Sequence, residues 1–103
     1  KVNLSVLDLS SSGISTFPVC LAKRLTKVVT LNLAGNKFKV IPTALSLLTN
    51  AAWIDLSDNP IKLDAYSKAR ITSLIERGVF FFTGGECQSE LTALVEHYQG
   101  RLF

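Results

Sequence analysis

His97 and Cys87 are the two side chains here that could act as base and nucleophile, and their spacing argues against it. A thiol attacks as its thiolate, and an imidazole within hydrogen-bond reach is the usual way to make one. The two lie ten residues apart on one predicted helix, which separates them by about 15 Å of axial rise. The other cysteine, Cys20, is remote from Cys87, and neither sits in a spacing that a metal site uses. Both read as free or buried thiols in a reducing compartment rather than as a disulfide. Gly84-Gly85 is too slight for a phosphate loop. No catalytic, cofactor-binding or metal-binding residue is therefore expected. The side chains left with chemistry to offer are Asp8, Asn32, Asp55 and the single tryptophan, Trp53, and what they can do depends on the elements that carry them.

Those elements repeat. Residues 4–18 read LSVLDLSSSGISTFP, 28–42 read VVTLNLAGNKFKVIP and 51–64 read AAWIDLSDNPIKLD, so Leu7, Leu31 and Ile54 recur at periods of 24 and 23. Self-similarity at this period signals a stacked solenoid, whose units cannot bury their apolar faces alone. Within each unit the L-x-x-L-x-L spacing alternates as a short strand must. The inward set is Leu4, Leu7 and Leu9, then Val28, Leu31 and Leu33, then Ala51, Ile54 and Leu56. Asn36 and Asn59 follow three residues after the strands, where an amide can bond backbone groups of neighbouring coils as a ladder. Ser12 holds that place in the first unit, and being shorter should leave a looser coil. Ile14, Phe38 and Ile61 plug the core from the loop side, and Phe17-Pro18 and Ile41-Pro42 turn the chain onto the convex side. Leu21, Leu25, Leu45 and Leu48 pack from behind.

The last third departs from the pattern. Asp64 caps a helix predicted over 65–77, with Ile71, Leu74 and Ile75 on one face and Lys68 placed for an i, i+4 pair with Asp64. Gly78 stands where a left-handed stop is wanted. A terminal strand follows within 78–83, with Val79 and Phe81 inward. A helix over 86–100 then carries Leu91, Leu94, Val95 and Tyr98, ends at Gly100, and covers the open end of the core.

With these residues the chain resembles the leucine-rich repeat proteins, typical class, with pattern LxxLxLxxNxLxxLPxxLxxL. The match is good over roughly 4–64 and weaker over 65–82. Ser12 for Asn, Ala51 for Leu and Asp64 for an apolar residue depart from it, the last implying that the third repeat runs straight into a helix. The resemblance implies an α/β fold: a short right-handed horseshoe with a parallel concave β-sheet and a C-terminal helical cap. One domain spans 1–103, with repeats at about 4–27, 28–50 and 51–77. Some bacterial effectors join such repeats to a cysteine-dependent ubiquitin ligase, but the C-terminal segment is too small for that domain and CQSE is no convincing nucleophile motif.

Side by side at about 4.8 Å, the strands turn their outward residues into columns. Val6, Thr30 and Trp53 form one, Asp8, Asn32 and Asp55 the next with Phe80 joining, and Ser10, Ala34 and Ser57 a third with Phe82. Trp53 should then be exposed beside two acids and near two aromatics, a face suited to a protein partner. The backbones of Asp8 and Asp55 would stand about 10 Å apart with Asn32 between them, so solvated carboxylates rather than a metal site are expected there. The net charge of +3 is mild, and the densest basic run, KRLTK at 23–27, reads as a solvated turn, so nucleic acid is not indicated. Apolar runs fall far short of the about 20 residues that cross a bilayer. Lys1 and the absence of Met point to a piece excised or processed from something longer. The expectation is a non-catalytic protein-binding module, cytoplasmic or delivered into a host cytosol, either a monomer or a dimer through its N-terminal edge strand. The rivals are a structural segment of a longer scaffold and the substrate-selecting part of an effector or adaptor.

Overall fold

The alternation around Leu7, Leu31, Ile54 and Phe81 puts one apolar side chain per coil beneath a sheet, and these four residues stand in register. The structure is a computed structural model and describes residues 5–84 and 90–102. Leu4, Gly85, the Cys87 thiol and the start of the helix expected from residue 86 lie outside these residues. Strands β1 (Val6–Asp8), β2 (Thr30–Asn32), β3 (Trp53–Asp55) and β4 (Phe80–Phe82) pair in sequence order, all parallel, in one sheet. Each of the first three strands leads through a loop to a segment on the opposite side: helix α1 (Val19–Arg24), a 3₁₀ turn (Thr43–Leu47), then helix α2 (Ala65–Glu76). Pro18 and Pro42 stand just before the first two, in extended backbone. A proline there supplies the bend and forfeits an amide that would have lacked a partner anyway.

The core runs between sheet and convex segments. Leu31, Leu33, Ile54, Phe38, Ile41 and Leu45 are fully buried, whereas Leu7, Leu9 and Ile14 of the first coil are half-buried. A central coil has a neighbour on both sides, while the first coil is packed from one side only. Asp64 caps α2 by accepting from the Ser67 N–H at 2.7 Å. That amide, with help from Arg70, holds the Asp64 carboxyl below its ordinary range against a smaller opposing effect of burial. α2 also grips the preceding coil, since the Ile41 N–H donates to Ser67 Oγ and Arg70 donates to the Ile41 carbonyl.

The final helix, α3, spans Glu90–Leu102 and passes through Gly100 instead of ending there. Leu91 and Val95 enter the core, and the Thr83 and Thr92 hydroxyls are bonded at 2.8 Å. The buried Gln99 accepts, through Oε1, the Phe81 N–H on the edge of β4 away from β3. An edge strand's free amides invite another strand, and here a side chain from the cap occupies one. Gln99→Leu should cost about 1–3 kcal/mol, the cost of a buried donor left without its acceptor. Urea unfolding reads that loss, and faster hydrogen exchange at the Phe81 amide locates it.

Candidate binding face

The outward residues of the four strands form two register columns. Val6, Thr30, Trp53 and Phe80 make the first, and Asp8, Asn32, Asp55 and Phe82 the second. Phe80 thus stands beside Trp53, one column from its expected place, and Phe82 stands beside Asp55. The shift follows from the length of the last unit, which brings β4 into register at Phe80 through Phe82. Ser10 and Ser57 follow just beyond the strand ends.

The acids and the asparagine of the second column have a mechanical task that their spacing did not disclose. Asp8 Oδ1 accepts from the Ser10 N–H at 2.9 Å and the Ser10 hydroxyl at 2.6 Å. Asp55 Oδ1 accepts from the Ser57 N–H at 2.9 Å and hydroxyl at 2.7 Å. Asn32 Oδ1 accepts from the Ala34 N–H at 3.0 Å. Each closes the turn by which a strand leaves the sheet, as short Asx side chains do. D-x-S at 8–10 and 55–57 was the available signal.

Asp55 and Ser57 are buried, at 8% and 9% exposure, while Asp8 is exposed. Asp8 lies on the edge strand β1, whereas Asp55 lies on β3 with a strand on each side. Trp53 is half-buried, not open as its strand position suggested, and stacks on Phe82 with ring centroids 6.0 Å apart and planes 17° from parallel. This ring pair flanks Asp55, whereas the same column at Asp8 and Asn32 has no aromatic ring. Val6, Phe80 and Phe82 remain exposed on the same face.

Bonding by Ser10, its hydroxyl first and its N–H second, holds the Asp8 carboxyl below the usual range. Asp8 and Asp64 thus share a sign: a depressed folded pKa stabilises above the unfolded value and is lost as pH falls through the folded one. The melting temperature should decline as pH drops below about 4, where free aspartate protonates. An Asp8→Asn/Asp64→Asn variant should show a shallower decline in melts run between pH 5 and 2.

Below the turns, the two ladder asparagines tie coil to coil. Asn36 Oδ1 accepts from the Ser12 and Ile14 N–H groups, and its Nδ2 donates to the Leu9 and Leu33 carbonyls. Asn59 accepts from the Phe38 N–H and donates to the Leu33 carbonyl. The Ser12 hydroxyl bonds the Ser10 carbonyl of its own coil.

Elsewhere the geometry offers little chemistry. His97 sits edge-on to Tyr98 at 5.3 Å, and Cys20 is a free, exposed thiol on α1. Among the described residues no group of three or more His, Cys, Asp or Glu side chains is gathered to hold a metal. No helix among them is long and apolar enough to cross a membrane.

A search of curated proteins returns no match for the chain. The model of one family, described as leucine rich repeat, matches residues 2–61. Repeats of that family are generally protein-binding modules and typically non-catalytic. A matched span covering more than half the chain, laid over in-register strands, loop asparagines and proline turns, means that this protein belongs to the leucine-rich repeat family.

Proposed function

We propose that this domain is a non-catalytic recognition module that binds a protein segment across its concave sheet. One observation carries the reading: Phe80 and Phe82 stay exposed on the outward face beside the stacked Trp53, with Val6 exposed two strands away, while the inward side chains of the same strands are buried or half-buried. Apolar and aromatic groups clustered on one face are unusual away from interfaces, and tryptophan is prominent among binding hot spots. Thr30 stands between Val6 and Trp53, and Asn32 and Asp8 add polar groups to the same face. The exposed thiol of Cys20 supports an intracellular setting, the finer part of this reading.

Capture from cell lysate with mass spectrometry tests it, comparing the native chain with Trp53→Ala. Melting curves first establish that the variant is folded. A partner held by the native chain should be retained at least about tenfold less by the variant, the loss of a hot-spot residue. Identical retained sets would sink the reading. The seal that α3 places on β4 favours a second role, as the closing unit of a longer repeat array. That role predicts no dependence on Trp53.

A further inference from the structure

Asp55 is a carboxylate almost enclosed by its own face, with no cation bonded to it among the described residues. It is 8% exposed, and the donors that reach it are the N–H and hydroxyl of Ser57, both neutral. Taking a carboxylate out of water is costly, and buried carboxylates are ordinarily paired with a positive group. Trp53 and Phe82 flank it as a stacked shelf, and the faces of such rings attract cations within about 6 Å. Asp8 lies two strands away in the same column. No outward position of the four strands is a lysine or arginine, so the sheet face of a chain with net charge +3 carries only negative charge.

We propose that the segment seated on this face presents an arginine or lysine, its cationic head against the Trp53–Phe82 shelf beside Asp55, with apolar neighbours over Val6 and Phe80. This rests on the concave-face reading and adds the chemistry of the occupant. A cation there would supply the missing counter-charge and a cation–π contact at once. An acidic segment would meet Asp8 and Asp55 and be rejected by like charge.

Trp53 is the only tryptophan, so its emission reads this face directly. The native chain is titrated with two blocked hexapeptides, one alternating leucine with arginine and the other leucine with glutamate. The arginine peptide should shift the emission and bind at least about tenfold more tightly. The decisive variant is Asp8→Asn/Asp55→Asn. Asn32 already closes the equivalent turn in β2, so asparagine removes charge while keeping the turn. In that variant the preference should shrink to within about twofold. Should it melt early, the native chain's preference must instead collapse when salt rises from about 0.05 to 0.5 M. Equal binding of the two peptides, an arginine preference that survives the charge removal or added salt, or no response to either peptide overturns the proposal. None of these results decides the concave-face reading, which stands or falls on capture with Trp53→Ala.

Discussion

Asn36→Ala should lower the unfolding free energy by on the order of 3 kcal/mol and the melting temperature by roughly 15 °C. The residue is 5% exposed and serves two coils at once. Its removal strands the Ser12 and Ile14 amides and the Leu9 carbonyl, none of which has a regular ladder partner at that bend, while the Leu33 carbonyl keeps its bond from Asn59. Each buried group left unpaired costs about 1–3 kcal/mol, and water reaching the more exposed first coil offsets part of the sum. Asn36→Asp is the sharper comparison. It keeps size and acceptor but sets a carboxylate oxygen against two carbonyl oxygens, so it should be about as damaging at neutral pH. Thermal and urea unfolding followed by circular dichroism measures both. A loss under about 1 kcal/mol for either would mean that the ladder contributes little to holding the coils together.

Phe38→Ala should be at least as severe, about 3–5 kcal/mol, because it opens a cavity where the packing is closed on all sides. Phe38 is fully buried, and its amide is tied to Asn59 of the next coil. Ile14 and Ile61 fill the same place in the flanking coils and are only half-buried. Truncating either to alanine should cost less than Phe38→Ala, even after allowing for the smaller side chain. Phe38→Leu, which nearly keeps the volume, should cost under about 1.5 kcal/mol. Urea titration of the four variants gives the ranking. A flat ranking would show that the coils do not differ in how tightly they are enclosed.

The repeat period made the scaffold readable in advance. Leu31, Leu33, Ile54 and Leu56 go inward because strand geometry leaves no alternative once alternate residues are apolar. Pro18, Pro42 and Asp64 mark the starts of the convex segments through backbone properties that act locally. The features that escaped prediction depend on what stands across the sheet or beyond it. Trp53 has an outward strand position, but its half-burial comes from Phe82 on the neighbouring strand. Asp55 and Asp8 have the same local sequence, D-x-S, and differ in burial, β3 having a strand on each side and β1 on one only. Gly100 looked like a helix stop, yet α3 continues to Leu102. A glycine lowers helical preference by only about 1 kcal/mol, too little to end a helix whose Leu91 and Val95 are anchored in the core. Gln99 carried no local signal at all, since its partner is the Phe81 amide of β4.

That last tie bears on how such a protein can change length. Gln99, Thr92 and Leu91 serve the end of the sheet, while Asn36 and Asn59 join one coil to the coil before it. A duplicated 28–50 segment spliced in after residue 50 would meet on each side the same type of seam that already exists. It would widen the sheet by one strand, about 4.8 Å, and leave the closing helix undisturbed. Gene duplication could therefore adjust the span of the face in fixed increments while the terminus stayed the same.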